Sequence, residues 1–232
     1  MRHIAGRGVD VIFTYQSNEA AADELVAELE GVGRRAAALR LDVGDASTFD
    51  GFVDRVRGVL QGWDVERFDF LVNNAGIGIN APIVETTEEQ FDRLMGIHVK
   101  GPFFLTQKLL PLMADGGRIV NVSTGLARFA YPGMAAYASA KGAVEVFTRY
   151  LAKELGARGI TANTVAPGAV ETDFGGGAVR DDRRANDFVA SQTALGRAGL
   201  PDDIGGVVAS LLSPEMGWVN AQRIEASGGQ GL

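Results

Sequence analysis

Apolar residues along this chain gather into short runs separated by longer stretches of mixed character. Six runs rich in Val, Ile, Leu and Phe predict strands over residues 9–14, 36–41, 68–73, 118–122, 160–166 and 223–226. They do not alternate strictly between apolar and polar positions, the pattern of parallel strands covered on both faces. Helical spacing between them predicts helices over 19–30, 46–60, 88–113, 137–155, 182–191 and 202–212. In the fourth, Val144, Phe147, Leu151 and Leu155 keep an apolar stripe at steps of three and four. Thr87-Glu88-Glu89-Gln90 has the form of a capping box, and Gly156 and Gly159 mark the stop after the long fourth helix.

Such strand–helix alternation predicts an α/β fold, a doubly wound parallel sheet with right-handed crossovers. Ligands of such sheets lie beyond the carboxyl ends of the strands. The loops beginning at Asp42, Asn74, Ser123 and Ala166 all open on that edge. No linker, repeat or low-complexity run interrupts the pattern, so residues 1–232 are expected to form a single domain.

Composition narrows the function. Against 22 Lys and Arg stand 29 Asp and Glu, a net charge of −7 that argues against a nucleic-acid partner held by its phosphates. No run approaches the roughly 18 apolar residues of a membrane span, and Met1-Arg2-His3 leads into no signal-type core. The absence of cysteine excludes thiol catalysis and disulfides and is compatible with a cytoplasmic location. His3 and His98 are the only histidines, so no multi-histidine metal site is expected.

The segment Tyr137-Ala-Ser-Ala-Lys141 sets a phenol and an ammonium one helical turn apart on one face. A phenol titrates near 10, and lowering that by roughly 3 units takes about 4 kcal/mol of preferential phenolate stabilisation. A fixed cation one turn away is one source of it. By itself the pair also suits an ordinary amphipathic helix. Its neighbours are Leu41-Asp42-Val43, Asn73-Asn74-Ala75-Gly76, Ser123-Thr124 and Ala166-Pro167-Gly168, each ending a predicted strand. In this order and spacing, the set resembles the short-chain dehydrogenase/reductase family from about Val9 to Leu232.

The resemblance implies a Rossmann-type domain moving hydride between a nicotinamide cofactor and a small-molecule carbonyl or alcohol substrate. Tyr137 is then the acid/base at the substrate oxygen. Lys141 holds the nicotinamide ribose and depresses the phenol's pKa. Thr124 takes the place of the usual serine as the substrate-orienting hydroxyl, with Ser123 as the alternative if the loop is shifted by one. Asp42 accepts from the adenine amino group, with Val43 beside it. Asn74, Ala75 and Gly76 are cofactor neighbours, while Asn73 either fixes the backbone there or is purely structural. Past Pro167 and Gly168, Thr172 anchors the carboxamide or a phosphate, or else caps a turn. NAD-preferring relatives carry a carboxylate at the end of the first strand here. This chain reads Thr14-Tyr15-Gln16-Ser17-Asn18, with no acid until Glu19 and no arginine, which favours NADP and leaves NAD possible.

Two departures from the family stand out. His98 occupies the place of an asparagine that supports a proton-relaying water chain; histidine can hold a water and titrates near neutrality, while a lone histidine on a helix is otherwise a satisfied structural residue. The family's opening strand and Gly-rich turn, whose helix N-terminus binds the pyrophosphate, are absent. Gly6-Arg7-Gly8 resembles the end of the helix that follows that turn. Its strand belongs in mid-sheet, and losing it costs on the order of 10 kcal/mol of apolar burial. The chain is therefore expected to struggle to fold and to grip a dinucleotide, with roughly 25–35 residues, one strand–turn–helix unit, ahead of Met1. Residues 121–174 and Ala226-Ser227-Gly228-Gly229 look closest to 3-oxoacyl-carrier-protein reductase-like members. The loop over 173–199 offers Phe174, Phe188, Val189 and Leu195 to an apolar pocket, along with Arg180, Arg183 and Arg184, and Gly175-Gly176-Gly177 lies in that loop. The resemblance further implies a homo-oligomer, dimer or tetramer, paired through the long helices. The alternative is a catalytically silent relative serving as a dimerisation or regulatory module.

Overall fold

Six parallel strands carry the fold in the computed structural model, which describes residues 1–232. They are β1 (Val11–Tyr15), β2 (Ala36–Arg40), β3 (Phe68–Asn73), β4 (Met113–Val122), β5 (Thr161–Pro167) and β6 (Arg223–Ala226). The helices are α1 (Arg2–Ala5), α2 (Glu19–Gly31), α3 (Phe49–Gly62), α4 (Glu88–Met95), α5 (Gly101–Leu109), α6 (Ala135–Glu154), α7 (Ala178–Asp181), α8 (Arg183–Ser191) and α9 (Pro201–Leu211). None is long and apolar enough to cross a membrane.

All six predicted strands are present, and β4 starts five residues early, at Met113, directly where the helical stretch begun at Glu88 ends. Thr87 and Gln90 form their reciprocal capping box at the start of α4. A π-helical segment over Gly96–Lys100 then joins α4 to α5. Gly101 stands where a Cβ would lie 2.3 Å from the Val43 carbonyl oxygen, so only glycine lets this backbone close on the loop after β2. Pro111 has no N–H to continue the ladder, and from Met113 the chain is extended.

The sheet is interrupted at the place where the absent strand is expected. β1 pairs only with β2, and β3–β4–β5–β6 form a separate sheet. No strand bonds the facing edges of β1 and β3, the place where the family resemblance puts a further strand. Helices bridge this gap on both faces. On one, Phe49, Phe52, Val56 and Leu60 of α3 join Leu105 and Leu109 of α5, with Ile12 of β1 and Phe68 and Leu71 of β3 against them. On the other, Ala5 of α1 packs with Phe13, while Ile4 packs against Val120, Val165 and Val208. Between the edges runs a cavity of about 1880 Å³, walled by Val11–Thr14 and Phe68–Val72 and continuous with the loops beyond the strand ends.

The gap has a measurable signature. Val11 N donates to Arg35 O and Leu41 N to Tyr15 O, so residues 11, 13 and 15 bond β2. Parallel pairing then turns the amides of Ile12 and Thr14 towards the cavity. In native-state hydrogen exchange these two amides are expected to exchange at least about 100-fold faster than those of Val120 and Val165, whose strands are paired on both sides. Equal protection would show that a strand occupies the gap.

Candidate active site

Buried hydroxyls and amides fix α6 over the ends of β4 and β5. Thr148 Oγ1 donates to Val144 O at 2.8 Å and accepts from Asn121 Nδ2 at 2.8 Å and Thr164 Oγ1 at 3.0 Å. Its single proton and both lone pairs are thereby used. Asn73 Nδ2 extends the chain, donating to Asn121 Oδ1 at 2.7 Å and Thr106 Oγ1 at 3.0 Å. Asn73 therefore ties β3 to β4 and α5, the structural alternative among its two readings. One end of α6 thus sits at the rim, with Tyr137 and Lys141 both buried there.

Lys141 Nζ donates to Val122 O at 2.7 Å and lies 5.9 Å from the centre of the Tyr137 ring. The Tyr137 ring stands edge-on to His98 at 5.2 Å and lies tilted at 52° to Phe174 at 5.8 Å. Of the two candidate hydroxyls, Ser123 Oγ is engaged, donating to Glu145 Oε1 at 2.7 Å. Thr124 Oγ1 accepts from Leu126 N at 3.3 Å and also interacts with the Tyr137 phenol. Thr124, Tyr137 and Lys141 face one cavity.

Burial moves the two catalytic candidates in opposite directions. The phenol of Tyr137 is pushed up to about 12 by desolvation, with the Thr124 hydroxyl pulling the other way. The Lys141 ammonium is pushed down to about 8 by its burial. The expected depression of the phenol by Lys141 is not found here. The desolvation that raises Tyr137 prevails, and the ammonium is aimed at the Val122 carbonyl. Near neutrality the phenol holds its proton and the amine keeps most of its charge, a state suited to proton donation.

The same cavity is lined by Val43, Asn74, Ala75, Gly76, Pro167, Gly168 and Thr172. Gly76 is required sterically, since a Cβ there would meet the His98 ring at 2.7 Å. Three candidates do not line the cavity. Asp42 Oδ1 accepts from Gly44 N at 2.8 Å in a local turn. Tyr15 donates its hydroxyl proton to Glu19 Oε1 at 3.0 Å, which brings the first acid back to the end of β1. His98 is buried behind Gly76. Thr172 Oγ1 accepts from Phe174 N at 3.2 Å, the turn-capping bond of its rival reading.

His98 departs from the expectation of titration near neutrality. Its Nε2 donates to Ile77 O at 2.8 Å, while Nδ1 is buried without a partner. Desolvation first, and Lys141 second, hold its pKa down at about 4. It is a neutral pin for the Ile77 backbone across the physiological range.

Some site residues escaped the sequence reading. Parallel register sets Arg40 opposite Tyr15, and its Nε donates to Gln16 O at 3.1 Å. An arginine thus reaches the stretch that has none of its own; the strand pairing was the signal. Phe129, Tyr131 and Met134, between β4 and α6, line the cavity, as do Phe174, Phe188, Val189 and Arg184. Leu195 does not; it is 71% exposed. Arg180 is paired with Asp173 and Asp181, and Arg183 with Asp187.

Comparison with known proteins gives a consistent picture. The family model described as "Enoyl-(Acyl carrier protein) reductase" matches residues 1–230. The hydroxynaphthalene reductase-like protein Arp2 of Metarhizium brunneum is 35% identical over 238 residues, spanning 97% of this chain and 87% of its own. Among solved structures, the promiscuous reductase LugOII, which catalyses keto-reduction at C1 during lugdunomycin biosynthesis, is 39% identical with a TM-score of 0.93. That match covers 100% of this chain and 91% of LugOII. The angucycline C-6 ketoreductase LanV with bound NADP is 34% identical with a TM-score of 0.92, covering 99% and 90%. LanV has also been solved with NADP and rabelomycin.

His98 makes a prediction that needs no substrate. Its folded pKa of about 4 lies below its ordinary value of 6.5, so the folded chain binds fewer protons between these limits. Its contribution is fully present above pH 6.5 and is lost as pH falls towards 4, by about 3 kcal/mol in all. Urea unfolding at pH 7, 6, 5 and 4.5 is expected to show this loss, and His98→Asn to flatten it. An unchanged slope in the variant would remove His98 as its source.

Proposed function

The chain belongs to the short-chain dehydrogenase/reductase family, and from that premise we propose that it is an NADP(H)-dependent reductase of aromatic ketones. The observation that carries this reading is the convergence of Thr124, Tyr137 and Lys141 on one cavity. A silent dimerisation module has no use for a buried phenol, ammonium and hydroxyl held together at the strand ends.

The residues present fit the cofactor. One cavity is lined by Thr14 at the end of β1, by Asn74–Gly76 and by Tyr137 and Lys141, and its volume of about 1880 Å³ is ample for a dinucleotide. Val43, Asn74, Ala75 and Gly76 would border it, and Lys141 would hold the ribose beside the nicotinamide. Arg40, with no carboxylate partner of its own, supplies a cation near Gln16 and Ser17 for a 2′-phosphate, as the NADP-bound LanV structures encourage. Glu19 stands on the same rim and opposes it. When bound, the cofactor supplies the hydride.

The rest of the chemistry belongs to this chain. Thr124 donates to the substrate carbonyl oxygen and orients it. Tyr137 delivers a proton to that oxygen as negative charge develops there. Lys141 keeps a positive charge behind the phenol, favouring the phenolate left after transfer.

The substrate class is read from the walls. Phe129, Tyr131, Phe174 and Phe188 surround the site, with Tyr131 and Phe188 rings 6.4 Å apart. Flat aromatic faces stack well on a planar fused-ring ketone. The hydroxynaphthalene and angucycline relatives support the same class. Phe103 and Phe104 of α5, with Val146 and Tyr150 of α6, are exposed large apolar residues on the long helices. They support a homo-oligomer paired through those helices.

Two measurements test the reading. NADPH oxidation with a panel of naphthol-type and linear ketones is expected to show turnover of the fused-ring members. Tyr137→Phe should reduce kcat by about 10²–10⁴-fold while leaving NADPH binding in place. A variant as active as the parent would remove Tyr137 from the proton transfer. Separately, Phe174→Ala is expected to raise KM for fused-ring ketones about 10–100-fold, the burial of one phenyl ring. The same change for small linear ketones should be marginal, and an equal rise for both would refute aromatic selectivity.

A further inference from the structure

Behind the site lies a cluster of two arginines and two glutamates that the proposed reaction does not use. Arg223 Nε donates to Glu145 Oε1 at 2.8 Å, one Arg223 terminal nitrogen to Glu225 Oε2 at 2.8 Å, and the other to Thr124 O at 3.0 Å. Glu145 lies one helical turn beyond Lys141 on α6 and also accepts from Ser123 Oγ. Glu225 shares a face of β6 with Arg223, two residues on, and receives both nitrogens of a bidentate Arg128 at 2.7 Å. Arg128 in turn donates to Gln230 O at 2.9 Å and Gly231 O at 3.3 Å. Ser227 Oγ donates to Glu225 Oε1 at 2.9 Å.

We propose that Arg223 is a positioning residue that sets the Thr124 hydroxyl against the Tyr137 phenol. This rests on the reductase reading of the site. Thr124 is the last residue before a short turn, in extended backbone, and three elements must agree on where it sits: β4, α6 and β6. The planar guanidinium alone touches two of them and the Thr124 carbonyl together. Lysine cannot copy this, since its single ammonium has no fixed fork to reach three separated acceptors. With two cations and two anions the cluster is electrically neutral overall, so its effect is local and geometric. Glu225 carries the same fixation outwards through Arg128 to Gln230 and Gly231, which border the cavity. Gln230 Oε1 then accepts from Ala169 N at 2.8 Å, on the loop after β5.

The test separates positioning from simple structural support. Arg223→Met and Arg223→Lys are made in the parent and in a Thr124→Ala background. In the parent, Arg223→Met is expected to lower kcat at least about 10-fold with KM for NADPH within about twofold, as misplacement of a reacting group does. In the Thr124→Ala background the same change should cost little, because the effect passes through the missing hydroxyl. Arg223→Lys should recover thermal stability but not kcat. A full loss in both backgrounds would overturn the proposal. A readout without turnover is the NMR resonance of the ζ-carbon of Tyr137, which senses the phenol's hydrogen bonding. Arg223→Met should shift it in the direction that Thr124→Ala does, with no further shift in the double variant. An unmoved resonance, or an additive shift, would overturn the role of Arg223. Should Arg223→Met fail to fold, Glu145→Gln keeps the shape and is expected to move the resonance in the same direction, by less. Absence of any ketone turnover in the parent would instead sink the reductase reading, and the resonance still judges Arg223.

Discussion

The seating of α6 on the parallel strands is the constraint on which the rest of the site depends. Its apolar stripe alone would let the helix slide or roll by a fraction of a turn, since dispersion contacts have little direction. Thr148 removes that freedom: its hydroxyl is saturated by its own helix, by Asn121 of β4 and by Thr164 of β5. An unmade bond here would leave a buried polar group unsatisfied, at about 1–3 kcal/mol each. The seat therefore has one register. About two and three turns away, Lys141 and Tyr137 inherit it, and the Lys141 bond to Val122 O repeats the lock at the rim.

That lock has an electrostatic consequence. Holding a phenol and an ammonium in a buried place favours the neutral form of each, so their proton affinities diverge instead of the cation simply acidifying its neighbour. In the proposed reaction Tyr137 starts protonated, with Lys141 at about 8 still charged near neutrality. A proton given to a developing alkoxide leaves a phenolate beside that ammonium. Attraction that is idle in the resting state then becomes effective, so stabilisation is concentrated where charge appears.

How far the sequence could be read depended on whether the governing interaction was local. Strand identities and the Thr87–Gln90 cap follow from neighbouring residues and came out as expected. The helical stretch expected over 88–113 runs from Glu88 to Leu112, and only its π segment over Gly96–Lys100, just ahead of the Gly101 approach to the Val43 carbonyl, has no local signal. Arg40 was hidden because strand pairing, not sequence distance, brings it to Tyr15. His98 was assigned the titration of a solvated imidazole, whereas burial and the nearby Lys141 decide its proton affinity. Asp42, read from its motif, also has a local part, with Oδ1 accepting from Gly44 N. Glu145, Arg223 and Glu225 carry no recognisable motif, since their meaning arises only when α6 and β6 are side by side.

The divided sheet connects stability to binding. The gap between β1 and β3 and the cleft over Tyr137 are one continuous cavity. Thr14 lies on one wall and Asn73 to Gly76 on the other, and no backbone hydrogen bond joins the walls. Their separation is set largely by apolar contacts, from α3 and α5 on one face and α1 on the other, with Arg7 bonding Ala209 O and Arg35 bonding Trp63 O across the divide. Such contacts tolerate small shifts better than a ladder of directional bonds does. A dinucleotide reaching from the β1 rim to Lys141 touches both walls of this cavity. By linkage, a ligand that binds only the folded form raises the chain's stability, so cofactor grip and stability rise together.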